Sequence, residues 1–222
     1  MKTFLLILSG ILCLFMALPP SGAATPIFAD TSASTEGLGS FTGDFTYTYE
    51  NGQAAKLKVD LLNTSDAGNG GFITAFAFNN PGNLISVVNL SGSDDDFALL
   101  GAGSFQNSVN SGSFGQFDIS AGIGGNFTGA QNPKRGIGAG SSATFTFALS
   151  GTNLDTLSFE SFVNAFSENT NKPEFFLARF AGFNNGGSDM VPGAAGAPVP
   201  EPATIFLLGF GLLGVAGVVR KI

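Results

Sequence analysis

Between residues 41 and 183 apolar side chains recur with a period of two, which restricts the chain to strands. Phe45, Tyr47 and Tyr49 alternate with Thr46 and Thr48. Leu57, Val59 and Leu61 alternate with Lys56, Lys58 and Asp60, and Phe145, Phe147 and Leu149 with Thr144, Thr146 and Ala148. Successive strand side chains point to opposite faces, so this pattern is that of a strand with one buried face. Residues 73–78 and 84–88 are more continuously apolar, as inner strands are, and residues 114–119 and 175–183 complete the set. Gly-, Asn-, Ser- and Asp-rich stretches at 66–71, 91–96 and 184–189 supply turns. The expected fold is mostly β: an antiparallel β-sandwich of some eight strands, jelly-roll-like, over residues 25–190. One short helix is expected at 160–166, where Phe159, Phe162, Val163 and Phe166 fall at helical spacing.

The expected domain lies between two apolar segments. Lys2, the apolar run 4–18, Pro19-Pro20 and the small residues Ser21-Gly22-Ala23-Ala24 read as a signal peptide over residues 1–24. Cleavage is expected after Ala24, with Ala23 the next choice; the alternative is an uncleaved anchor. Residues 191–198 read as a flexible linker. Residues 199–222 then place Pro200-Glu201-Pro202 before an uncharged run of 17 residues, Ala203 to Val219, closed by Arg220 and Lys221. As a helix that run spans about 26 Å, close to a hydrocarbon core of about 30 Å. Arg220 and Lys221 would act as a basic stop on the cytoplasmic side. Gly211, Gly214 and Gly217 share a helix face that could admit a second helix, or the segment simply spans lipid. The G-x-G-x-x-G match at Gly209, Gly211 and Gly214 has no strand before it and no acidic residue about 20 positions on, so it is not a dinucleotide fingerprint.

Composition removes several chemistries. Residues 25–198 hold six basic and 15 acidic residues, a net charge of −9, which excludes a phosphate-binding stripe and hence nucleic acid as a partner. There is no His, and the one Cys, Cys13, falls in the first apolar run, so the usual nucleophile–base pairs are missing. A hydrolase would need two carboxylates, for example Asp118 with Glu160 or Glu174, and no pair is singled out; no enzymatic activity is expected. Phe supplies 24 of the 26 aromatic residues and Trp none. Phe fills cores but lacks the polar tip of the usual sugar-stacking residues, leaving Tyr47 and Tyr49, on one face of one strand, as sugar-binding candidates.

Asp94, Asp95 and Asp96 form the densest acidic cluster and the one weak candidate for a metal, Ca²⁺, though without EF-hand spacing; a solvated acidic turn explains them equally, and no cofactor is expected. Arg179, inside the apolar stretch 175–183, would either pair with a buried acid or project to solvent. Three N-x-[ST] matches, at Asn63, Asn89 and Asn126, read as chance matches in an Asn- and Ser-rich chain.

Pro-Glu-Pro, apolar helix and terminal basic residues, in that order over Val199 to Ile222, resemble the PEP-CTERM sorting signal. The basic end is short, two charges followed by Ile222. The resemblance implies recognition by an exosortase, a membrane transpeptidase-like enzyme that cuts near Pro200-Glu201-Pro202. It also implies export after signal peptidase cleavage, anchoring in the inner membrane of a Gram-negative bacterium, then release to the cell surface or extracellular matrix. It further implies a link to exopolysaccharide and biofilm. A second likeness, to domains that often accompany this tail, rests on Leu61-Leu62-Asn63-Thr64-Ser65, Ile73-Thr74-Ala75-Phe76-Ala77-Phe78, Ala178-Arg179-Phe180-Ala181-Gly182-Phe183 and Gly187-Ser188-Asp189. Such domains mostly lack an assigned activity. The expected function is a structural or adhesive surface protein; the alternative is a carbohydrate-binding module.

Overall fold

The structure, a computed structural model, describes residues 22, 24–101, 103–129 and 132–196. Most of the expected signal peptide and the whole 199–222 segment lie outside the described residues. No helix among the described residues is long and apolar enough to cross a membrane.

Thirteen strands make up the fold: β1 (Thr25–Ala29), β2 (Phe41–Asn51), β3 (Ala54–Asn63), β4 (Gly70–Phe78), β5 (Ile85–Gly92), β6 (Ala98–Leu100), β7 (Val109–Asn110), β8 (Gln116–Phe117), β9 (Ile119–Gly122), β10 (Ile137–Gly138), β11 (Ser142–Gly151), β12 (Phe176–Phe183) and β13 (Ser188–Ala195). One α-helix, α1 (Phe159–Val163), sits where a helix was expected but is shorter; it stops at Asn164, whose Nδ2 donates to the Glu160 carbonyl. All strand pairs are antiparallel.

The strands do not divide into the two separate sheets of a sandwich. They follow one hydrogen-bonded path, β5-β11-β3-β2-β1-β13-β12-β4-β9-β6, with β10 added to β4, curled into a nearly closed, barrel-like shape. β1 is the seam of that path: Ile27 lies opposite Gly43 of β2 on one side and Ala195 of β13 on the other.

The core is phenylalanine from both halves. Phe41, Phe45, Phe76, Phe78, Phe145, Phe147, Phe176 and Phe180 are fully buried. Phe78 meets Phe45 edge-on at 5.9 Å and Phe147 edge-on at 5.0 Å, and Phe76 lies 4.9 Å from Phe145. Edge-to-face pairs place the positive ring rim on the negative face of a neighbour, adding about 0.5–1.5 kcal/mol each beyond burial. A second, smaller cluster on the other face of β4 and β12 joins Ala75, Ala77 and Leu177 to Val109, Phe114, Phe117 and Phe127 from the 101–129 excursion. That cover explains why β12 is buried on both faces and reads as a continuous apolar run.

Two expectations need correction. Residues 191–195, read as the start of a linker, form the second half of β13, with Val191 fully buried. Pro192 has no N–H to give, but its carbonyl accepts from Asp30 N at 2.8 Å. Gly193 is small because Phe176 presses on it; an added Cβ would lie 3.1 Å from that ring. The β-domain therefore runs beyond 190, and Gly196 N still donates to the Pro26 carbonyl at 2.7 Å. Tyr47 and Tyr49 also differ in environment: Tyr47 is buried and only Tyr49 is exposed.

Candidate functional site

Two buried aspartates tie loops to the sheet, and they differ in how fully they are used. Asp189, in β13, is 1% exposed. It accepts hydrogen bonds from the Ser34 and Thr35 hydroxyls and from the backbone N–H groups of Glu36, Leu38 and Gly39, at 2.7–2.9 Å. Burial alone would raise its pKa, but these donors outweigh it and hold the carboxyl below its ordinary range. The Asp189 oxygens are spent on fixing the 32–39 loop between β1 and β2.

Asp118 lies between β8 and β9 and is 9% exposed. It accepts from only two groups, Asn80 N at 2.8 Å and Asn107 N at 2.6 Å. Burial pushes its carboxyl up, and those two bonds together fall short of reversing the shift; Glu168 nearby adds to the rise. It therefore sits at the floor of a cleft of about 400 Å³ with its charge only partly compensated.

Three loops form the walls, residues 79–83, 105–107 and 165–168. Asn80 is committed to structure, its Oδ1 accepting from Ile85 N and its Nδ2 donating to the Ile85 and Phe105 carbonyls. Asn79 Nδ2 donates to the carbonyls of Ala165 and Glu174, and Asn107 Nδ2 to Glu168 Oε2 at 2.8 Å. Asn83, Phe105 and Asn107 all take left-handed backbone, with φ of 55°, 51° and 51°. For buried, bulky Phe105 this is a costly conformation, about 1–2 kcal/mol, and it turns the following Gln106 outward into the cleft. Phe166, 50% exposed, stands on the rim.

The sequence-chosen partners of Asp118 are not the ones beside it. Glu160 belongs to the start of α1, where the Ser158 hydroxyl donates to it and holds its pKa low. Glu174 is raised by burial and by Asp30. Glu168, which the sequence reading passed over, lines the cleft because its backbone bridges to Gln116 beside β8. A period-two pattern gives no signal for such a bridge.

The other candidates are placed as follows. Asp94, Asp95 and Asp96 line a separate, open hollow of about 400 Å³ with Gly136, Ile137 and Gly138. Asp94 Oδ1 accepts from Asp96 N at 3.0 Å, and Asp96 forms an ion pair with Arg135 that lowers its pKa. No group of three or more metal-ligating side chains converges among the described residues. The Tyr47 hydroxyl donates to the Leu154 carbonyl at 2.7 Å, and burial pushes its pKa up to about 12; it is a core residue, not a stacking platform. Arg179 takes neither expected role in full: half-buried, it donates to Thr74 Oγ1 at 3.1 Å, and burial lowers its pKa. Asn63 is buried and donates to the carbonyls of Gly71 and Ile137. Ala24 is exposed, immediately before β1. Pro200, Glu201, Pro202, Ala203, Val219, Arg220 and Lys221 lie outside the described residues.

Residues 198–221 match the model of the PEP-CTERM protein-sorting motif. The chain carries a PEP-CTERM protein-sorting motif. The motif implies processing by an exosortase and export to the cell surface or the extracellular space. One residue, Ala197, separates it from Gly196, the last residue bonded into the fold. No curated protein and no solved structure matches the chain.

Proposed function

We propose that the chain is an exported surface or matrix protein whose β-domain serves a structural or adhesive role in exopolysaccharide, without catalysis. The observation that carries this reading is the PEP-CTERM motif standing one residue beyond a closed, acidic β-domain. Signal peptidase would release the chain after Ala24, so that β1 begins at once. The apolar segment from Ala203 to Val219 would then hold the domain at the inner membrane until an exosortase acts. No cofactor has a part in this role. A second reading, a carbohydrate-binding module, is favoured by the Asp118 cleft with its amide walls and rim phenylalanine. Fractionation of the producing strain tests the main reading. The protein is expected in the polysaccharide matrix of exosortase-positive cells and in the membrane of cells lacking the enzyme. Free protein in the medium, unaffected by removal of the polysaccharide, would refute it.

A further inference from the structure

We propose that the cleft over Asp118 is a binding site for an uncharged sugar unit of a polysaccharide. The inference rests on the reading that the β-domain meets exopolysaccharide, and it names where and how.

The chemistry of the walls selects the ligand class. Asp118 on the floor and Glu168 on the wall bring two carboxylates, and no Lys or Arg lines the cleft. An anionic ligand is therefore repelled. The groups left unspent are mostly acceptors. Asn79 Oδ1 and Glu168 Oε1 accept no hydrogen bond from another described residue, and the side-chain amides of Asn83 and Gln106 make none. A fitting ligand must bring several donors at fixed spacing, as the hydroxyls of a sugar ring do. Each would replace water on an acceptor that is already oriented, because Asn80, Asn107 and the Asp118 bonds lock the three loops. Phe166 adds what a polar cleft otherwise lacks, an exposed apolar face on which the C–H face of a sugar can rest. The volume, about 400 Å³, falls within the range of small-molecule sites. Asp189 supplies the internal contrast: a loop-pinning aspartate with five donors and no cleft, whereas Asp118 pins its loops with two bonds and faces open space.

The test uses mature protein purified after export and exopolysaccharide from the producing strain, separated into neutral and acidic fractions. Binding is measured by calorimetry, with and without EDTA. The neutral fraction is expected to bind at least tenfold more tightly than the acidic one, with no effect of EDTA. Phe166→Ala and Glu168→Gln are each expected to weaken that binding at least tenfold. Both side chains are exposed, so the melting temperature should hold; if Phe166→Ala lowers it, Gln106→Ala replaces that variant with the same expectation. Unchanged affinity in these variants places the polysaccharide contact elsewhere and overturns the site while leaving the proposed role intact. Binding of neither fraction overturns both. Binding that EDTA abolishes makes the carboxylates metal ligands and overturns the sugar assignment.

Discussion

At the scale of single residues, the fold depends on a few polar groups whose surroundings fix their charge. Asp189 is the clearest. A group whose folded pKa lies below its unfolded value, about 3.9 for Asp, adds stability above that value and loses it as pH falls through the folded pKa. Asp118 and Glu174, with raised pKa values, act in the opposite sense: they favour the folded state most at low pH and lose that contribution as pH rises through their folded values. Comparison of wild type with Asp189→Asn isolates the first effect. The variant keeps an acceptor but presents an NH₂ group to a ring of donors, and we expect a loss of about 3 kcal/mol at pH 7. Urea unfolding between pH 2 and 7 should show that difference shrinking below about pH 4. A difference constant across this range would mean that the ionised carboxylate is not what pins the 32–39 loop. The same residues show what the sequence made legible. Gly187-Ser188-Asp189 and Asn63-Thr64-Ser65, quoted for the second likeness, have structural roles: Asp189 and Asn63 are buried loop ties. That likeness therefore reports shared architecture, and no residue that carries it lines the Asp118 cleft.

At the scale of elements, alternation predicts strands well where one face meets the core and the other meets water. β2, β3 and β11 were readable for that reason, and Phe41, Leu57 and Phe145 point inward as the pattern requires. It fails where small residues build a strand. Pro192, Gly193, Ala194 and Ala195 look like a linker because nothing in their own composition shows that Phe175 and Phe176 leave no room for larger side chains. Strand order is equally hidden, because pairing between the first and last strands joins residues far apart in the chain. That pairing sets a test. β1 has five residues but is the hydrogen-bonded seam between the β5-β11-β3-β2 half and the β13-β12-β4-β9-β6 half. Phe28 is 46% exposed, so its side chain contributes little to the core. Phe28→Ala should change stability by no more than about 0.5 kcal/mol. Phe28→Pro removes a ladder N–H between two partner strands and should cost about 2–3 kcal/mol, read as a lower urea midpoint. Equal effects of the two substitutions would show that the seam is not the structural hinge of the sheet.

At the scale of the whole molecule, the ends of the domain meet. β1 starts one residue after Ala24, and Gly196 is bonded to Pro26, so the start of the mature chain and the exit toward the sorting motif lie side by side. The exit leaves little slack. Four residues from Gly196 to Pro200 reach at most about 14 Å when fully extended, so an exosortase acting at Pro200-Glu201-Pro202 would work against the wall of a folded domain. The motif suits that position: two prolines fix φ and donate no hydrogen bonds, which keeps the segment extended and available rather than added to the sheet. Glu201 gives it a single charge to be gripped in water at the membrane surface. We therefore expect Glu201→Ala to block processing without touching the domain. Mass spectrometry of protein from exosortase-positive cells should give a wild-type mass ending near Pro200-Glu201-Pro202 and a variant mass that retains Ala203 to Ile222. The two forms should share one melting temperature, because Glu201 lies beyond the last residue tied into the sheet. Wild-type protein that keeps Ala203 to Ile222 in cells with a working exosortase would instead make the tail a permanent anchor, with the domain held within about 14 Å of the motif.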